Sequence, residues 1–313
     1  MQIIVLDGYA LNPGDLSWDA LKAMGDVKIY DRTAPSETIE RASGAQILLT
    51  NKTILMAEEL DQLPDLKYIG VLATGFNVVD TEAAKQKGII VTNVPAYGTM
   101  SVAQHVFALV LEFFNGIGLL SDGVRNGRWS RSIDFCYWDK PLTELTGLTL
   151  GIVGFGRIGK AVASIADAFG MRVIVSDPST VNDYKNVPLN ELFIHSDIVT
   201  LHCPLTQETK GMINAEKLRL MKPSALLVNT ARGPLIIEKD LADALNNGKL
   251  AGAALDVLSA EPPASENPLL SAKNCIITPH VAWATFEARK RLIAIAIENV
   301  KMYLEGKPVN IVN

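Results

Sequence analysis

The densest chemistry in the sequence lies between residues 151 and 177. Gly151-Ile-Val-Gly154-Phe-Gly156-Arg157-Ile158-Gly159 contains a G-x-G-x-x-G spacing. It follows the apolar run Leu148–Val153 and precedes a helical pattern from Ala161 to Phe169. In that context Gly154 permits a tight turn, Gly156 lets a pyrophosphate approach the backbone, and Gly159 lets helix and strand pack closely. The helix N-terminus offers unpaired N–H groups and the positive end of its dipole to phosphates. After the next run, Arg172–Ser176, stands Asp177, at the usual distance for accepting hydrogen bonds from ribose hydroxyls. Pro178 and Ser179 follow, with no arginine, so a 2′-phosphate would meet a negative charge. The expected cofactor is NAD rather than NADP.

A nicotinamide cofactor implies hydride transfer. Hydride transfer to a carbonyl needs a proton donor and a group that polarises the oxygen. The sequence has four histidines, His105, His195, His202 and His280. His105 lies inside a long apolar stretch and reads as a hydrogen-bonded core histidine. His195 follows the helical pattern Leu189–Ile194 and reads as a surface cap. His202 and His280 each end a strand candidate, where open α/β sheets bind ligands. Arg232, in Asn229-Thr-Ala-Arg-Gly233, follows the run Ala225–Val228 and could hold a carboxylate or ketone with its donor fork. Glu261 follows another run, and a carboxylate beside a histidine fixes its tautomer. On residue type alone these roles stay open, because arginine and glutamate are common on surfaces.

The elements that must position these groups are short, continuous apolar runs rich in Val and Ile. The first set is Ile3–Leu6, Ile47–Leu49, Tyr68–Leu72 and Ile89–Val91, with helical spacing at Trp18–Met24, Ser36–Ala42 and Thr81–Gln86. The second is Leu148–Val153, Arg172–Ser176, Ile198–Leu201, Ala225–Asn229, Gly252–Leu255 and Cys275–Ile277. Such runs suit strands buried on both faces of parallel sheets, and their alternation with helices predicts an α/β doubly wound architecture. Val102–Leu120 is expected to be one buried helix. Gln104, His105, Glu112 and Asn115 within it argue against a membrane span. Ser121–Thr146 reads as an irregular excursion. The last helical pattern, Phe286–Leu304, has no strand left to serve in the second set. It could pack on the first, making that domain discontinuous.

Composition sets outer bounds. The 313 residues are 48% apolar, 20% charged and 6% aromatic, with net charge −5. That balance excludes a broadly basic nucleic-acid-binding face. Cys136, Cys203 and Cys275 are far apart, so neither a metal site nor a disulfide framework is expected, and a reducing compartment fits. The start, MQIIVLDGYA, holds Asp7 and no basic segment, so a signal peptide is not expected and a cytoplasmic location is.

Five segments together resemble the D-isomer-specific 2-hydroxyacid dehydrogenases: GIVGFGRIGKAVA at 151, HCPLTQETKGMIN at 202, LLVNTARGPLI at 226, AALDVLSAEPP at 253 and TPHVAWAT at 278. The resemblance runs over essentially the whole chain. It implies two Rossmann-like doubly wound domains. A discontinuous, flavodoxin-like substrate domain would span 1–100 plus 286–313, and an NAD-binding Rossmann domain 101–285. It implies Arg232 as substrate anchor, Glu261 as partner and His280 as acid/base. It carries cofactor contacts onto Gly154, Gly156, Arg157, Ile158, Gly159, Asp177, Cys203, Pro204, Thr209, Thr230, Ala231, Asp256 and Ala282. It carries carboxylate recognition onto Ala73, Thr74 and Gly75, in a loop Leu72–Asn77, with Arg232, His280 and Trp283 beside the substrate. It also implies a homodimer embraced by the segment after residue 100. The form His280-Val-Ala282-Trp283 departs from the usual H-x-G. With VLDGYALNPGDLSW at the start, it is similar to the glycerate dehydrogenase branch, whose substrates are hydroxypyruvate and related small 2-oxoacids. A 3-phosphoglycerate dehydrogenase and a non-catalytic NADH-sensing protein are the rival readings.

Overall fold

A strand without polar alternation must be covered on both faces, and a parallel sheet flanked by helices does this. In the computed structural model, which describes residues 1–313, the chain forms two units, Met1–Gly98 with Ala284–Asn313, and Thr99–Trp283. The first holds strands β1 (Gln2–Val5), β2 (Asp26–Ile29), β3 (Ile47–Thr50), β4 (Tyr68–Val71) and β5 (Ile90–Thr92). Their order is β2-β1-β3-β4-β5, all parallel, which is the flavodoxin-like arrangement. β2 escaped the sequence reading because it alternates: Asp26 and Lys28 are exposed at the sheet edge. Helices α1 (Asp19–Lys22), α2 (Thr38–Ala42), α3 (Ala57–Asp61) and α4 (Thr81–Gln86) connect the strands. α1 and α2 are shorter than their helical patterns, since Pro35–Glu37 winds as a 3-10 turn ahead of α2.

The second unit opens with α5 (Thr99–Asn115) and α6 (Ile117–Arg125). The single buried helix expected over Val102–Leu120 is therefore two helices. They break at Gly116, where φ is +59°, and bend by 57°. α5 buries Val102, Ala103, Val106, Phe107, Leu109 and Val110, whereas α6 buries no residue. The excursion after residue 121 correspondingly begins as helix and includes a 3-10 turn at Trp129–Arg131. No single helix is long and apolar enough to cross a membrane.

Seven strands follow: β6 (Thr149–Val153), β7 (Arg172–Ser176), β8 (Lys185–Asn186), β9 (Ile198–Leu201), β10 (Leu226–Asn229), β11 (Gly252–Leu255) and β12 (Cys275–Ile277). The two-residue, exposed β8 is an addition to the six expected. The order is β12-β11-β10-β9-β6-β7-β8, all parallel, a Rossmann sheet extended by one strand. Side chains alternate between two cores. Val153, Val199, Leu201, Leu227, Ala253 and Leu255 pack with α8 (Leu189–His195), α9 (Ala215–Leu218) and α10 (Glu238–Asn246). Leu150, Ile152, Ile198, Leu226, Val228 and Ala254 pack with α5 and α7 (Arg157–Ala168). The chain returns to the first unit as α11 (Phe286–Leu304). Arg289 of α11 is buried and donates to Asp15 at 2.8 and 2.6 Å and to the Leu11 carbonyl at 2.9 Å. Tyr303 packs its ring 4.6 Å from that of Tyr68 in β4.

Candidate active site

The turn between β6 and α7 sits where strand order reverses, between β6 and β9. Gly154 has φ +90°, and a Cβ there would lie 2.5 Å from the Cys203 nitrogen at the end of β9. A Cβ on Gly159 would lie 2.4 Å from the Gly154 carbonyl oxygen, so this glycine lets helix and turn touch. At Gly156 a Cβ would meet nothing within 4 Å. Internal packing therefore does not explain that glycine, whereas close approach of a ligand does. No side chain caps α7, so its first-turn N–H groups, beginning at Arg157 and Ile158, stay open to an anion.

Asp177 ends β7 beside this turn. Its carboxylate accepts the Phe155 N–H at 2.6 Å and the Ser179 N–H at 2.8 Å. Burial opposes its charge, but these two N–H groups, the Ser179 hydroxyl and the Lys160 ammonium together outweigh burial and hold the carboxyl below the ordinary range. An ionised acceptor at the end of β7 suits hydroxyls and repels a phosphate.

β10, β11 and β12 are neighbours, so the loops at their carboxyl ends share one side of the sheet. Arg232 follows β10. One of its N–H groups donates to the Ala231 carbonyl at 2.6 Å, which uses one of five donors. The turn is closed by Asn229, whose side chain accepts from Ala231 N and donates to Arg232 O. Gly233 lies so near the next loop that a Cβ would fall 1.9 Å from the Leu258 carbonyl carbon. The Arg232 turn is thereby pressed against the loop that carries Glu261. Glu261 Oε1 accepts the Leu258 N–H at 3.1 Å, and its Oε2 lies 2.6 Å from His280 Nδ1. With Nδ1 donating to the carboxylate, Nε2 is the free ring nitrogen.

His280 occupies left-handed backbone space, φ +54°, which costs a non-glycine residue about 1–2 kcal/mol. The surroundings hold it there. Its N–H donates to the carbonyls of Asp256 and Thr278 at 2.8 and 3.0 Å, and its carbonyl accepts from the Trp283 indole at 2.9 Å. Asp256, 1% exposed, organises the rest of the turn. Its carboxylate accepts from the Thr278 hydroxyl at 2.6 Å, the Val281 N–H at 2.9 Å and the Ala282 N–H at 2.8 Å. Burial opposes this charge too, but contacts from His105, Thr278, Ala282 and Val281 outweigh it and keep the carboxyl low.

The remaining expected positions divide. Thr230 Oγ1 is buried and has no hydrogen-bond partner in the protein. Cys203 is half-buried; burial raises its thiol, and Sγ lies 3.9 Å from Met212 Sδ. Thr209 closes the loop after β9 by donating to the Pro204 carbonyl at 2.7 Å. His202 hydrogen-bonds Thr200 at 2.9 Å, and burial pushes it down to about 3, so it is neutral and poorly suited to proton transfer. His195 is exposed in the last turn of α8, not after it. In the first unit the loop after β4 is held by its flanks: Asn51 donates to Leu72 O, Val94 N to Ala73 O, and Thr74 Oγ1 to Val94 O. The N–H groups of Thr74 and Gly75 donate to no protein acceptor.

Residues 107–282 match the model of the D-isomer specific 2-hydroxyacid dehydrogenase NAD binding domain. A hydroxypyruvate reductase of Blautia hydrogenotrophica is 50% identical over 321 residues, covering all of both chains. A glycerate dehydrogenase of Methylorubrum extorquens is 44% identical over 290 residues, 92% of each chain. The solved D-lactate dehydrogenase of Aquifex aeolicus, complexed with NAD and lactic acid, superposes with a TM-score of 0.83 at 31% identity. That match covers 98% of this chain and 96% of that one. The chain belongs to the D-isomer specific 2-hydroxyacid dehydrogenase family. It is an NAD-dependent dehydrogenase, and the open space at Gly156, the uncapped α7 and the ionised Asp177 fit that cofactor.

Sequence reasoning read His105 as a hydrogen-bonded core histidine without a partner and passed over Ser101; in the dehydrogenase both touch the His280 turn. His105 Nε2 lies 3.0 Å from Thr278 Oγ1, and Ser101 Oγ donates to Ala282 O at 2.6 Å. Their spacing of one helical turn on an otherwise apolar face was the available signal.

Proposed function

We propose that this dehydrogenase reduces hydroxypyruvate, and also glyoxylate, to D-glycerate and glycolate, and runs reversibly. The observation that carries the chemistry is the 2.6 Å contact between His280 Nδ1 and Glu261. Bound NADH supplies the hydride for the ketone carbon. The charged His280 donates its Nε2 proton to the carbonyl oxygen, while Glu261 holds the imidazolium in orientation. In the reverse direction the Nε2 lone pair takes the hydroxyl proton. The uncommitted N–H groups of Arg232 polarise the ketone and anchor the acid. Backbone N–H groups at Thr74 and Gly75, beside Ala73, receive the substrate carboxylate. Gly154, Gly156, Arg157, Ile158 and Gly159 cradle the pyrophosphate, and Asp177 takes the adenosine ribose. Cys203, Pro204, Thr209, Thr230, Ala231 and Ala282 line the rest of the cofactor's path, whereas Asp256, expected there too, is buried with its carboxylate taken up by the turn behind it. Trp283, pinned to the His280 carbonyl, narrows the site toward short acids. The relatives named hydroxypyruvate reductase and glycerate dehydrogenase support this substrate choice.

The second unit also carries an apolar arm: Ile117, Leu119, Trp129, Ile133, Phe135, Trp138 and Leu142 are all exposed, Ile133 fully. Exposed apolar surface on this scale belongs in an interface, and we assign it to a second copy of the chain. The enzyme acts in the cytoplasm, where its free thiols stay reduced.

The test is NADH oxidation with hydroxypyruvate, glyoxylate, pyruvate, a branched 2-oxoacid and 3-phosphohydroxypyruvate. Fast turnover is expected with hydroxypyruvate and little with the branched or phosphorylated acids. Preference for either of those would overturn the substrate assignment and leave the family intact. Light scattering of the eluting protein should give twice the chain mass.

A further inference from the structure

We infer that helix α5 is a brace for the turn Thr278–Ala282, and that His105 and Ser101 are positioning residues for His280. This rests on the reading of His280 as the acid/base group. The turn is short and carries a left-handed residue at its centre. Its two ends are tied to the same face of α5. Ser101 Oγ donates to the Ala282 carbonyl at 2.6 Å, and His105, four residues on, meets the Thr278 hydroxyl at 3.0 Å. The direction of the second bond follows from proton counting. Thr278 has one hydroxyl proton and gives it to Asp256 Oδ1 at 2.6 Å. His105 Nε2 must therefore be the donor to Thr278 Oγ1. The same Nε2 lies 3.5 Å from Asp256 Oδ1.

A donor chain thus runs from His105 through Thr278 to the buried Asp256 carboxylate. That carboxylate receives the N–H groups of Val281 and Ala282, and the Asp256 carbonyl receives the N–H of His280. Nothing in this chain touches the reacting ring of His280. It sets the backbone from which the ring projects toward Glu261. Removing the donor at 105 loosens this backbone without removing the ring, and glutamine, whose amide can donate from a similar reach, restores the bond.

The experiment is a mutant cycle read in kcat, KM and NADH Kd for NADH-dependent hydroxypyruvate reduction. His105→Ala should lower kcat about tenfold, the cost of one lost hydrogen bond in a coupled network, with KM and NADH Kd within about twofold. His105→Gln should recover most of that loss, and Ser101→Ala should lower kcat by a smaller factor. In a His280→Gln background the added His105→Ala loss should fall below about twofold, because the positioned group is gone. An equal loss in both backgrounds would overturn the inference, since the brace would then act elsewhere. So would unchanged kcat in both His105→Ala and Ser101→Ala. If His280→Gln alone kept near-normal turnover, the acid/base reading would fall, and the inference with it. Should His105→Ala not fold, Ser101→Ala carries the same cycle.

Discussion

The carboxyl ends of β9 and β12 each carry a histidine on the same side of one parallel sheet, yet the two residues differ in kind. His202 shares a hydrogen bond with Thr200, and its buried surroundings push it down to about 3. It is a neutral structural group. His280 faces a carboxylate 2.6 Å away, on a backbone that only a dense set of hydrogen bonds holds in place. A strand end delivers a residue to the ligand side of the sheet. The partner of its ring and the water around it decide whether it can carry a proton.

His280→Gln attacks this contrast most directly. Reduction should slow by about 10²–10⁴-fold while NADH still binds, because a positioned acid is worth about that much. Near-normal turnover at neutral pH would erase the difference between the two strand ends. Glu261→Gln comes next. Losing a charge-assisted hydrogen bond should lower kcat about 10–100-fold with little change in NADH affinity. If Glu261 merely packs, kcat should hold.

A third strand end, that of β7, sharpens the comparison from the cofactor side. Asp177→Ala should weaken NADH binding about tenfold, the value of a hydrogen bond to a charged group, and weaken NADPH less. Fluorescence titration of both nucleotides reads the ratio; equal losses would remove Asp177 from cofactor choice.

The smallest effect on activity is expected for His202→Gln, with kcat within about twofold of the parent. Its signature lies in stability. The folded value near 3 sits below the ordinary 6.5, so the unfolded chain takes up the proton first as pH falls. The stabilisation is present above about pH 6.5 and drains away between there and pH 3. Thermal melts across that range should show a flatter acid limb for His202→Gln than for the parent. Identical limbs would mean that the ring is solvated after all.

Much of this was legible because burial on both faces writes itself as uninterrupted apolar runs. β6, β9, β10 and β11 are wholly buried and fall where such runs lie. β2 and β8 are edge strands with exposed side chains and leave no such mark. The break at Gly116 was hidden because glycine within an apolar pattern is compatible with either a continuous or a bent helix. His105 is the hydrogen-bonded histidine that its apolar helix suggested, but its partner stayed hidden for a related reason: one histidine on an apolar helix names no partner.

By itself, then, the amino-acid order determined the buried strands, the Gly154–Gly159 turn and the presence of Arg232, Glu261 and His280 after consecutive strands. These are local properties of residue type and spacing. Tertiary structure alone decided that Glu261 reaches His280 and that Gly233 presses the Arg232 turn onto the Glu261 loop. It also decided that Asp256 is spent on holding a turn, and that His105 and Ser101 reach that turn from a helix some 175 residues earlier in the chain. Hydrogen bonds between residues so far apart depend on how sheet and helix pack, and packing is a property of the whole fold.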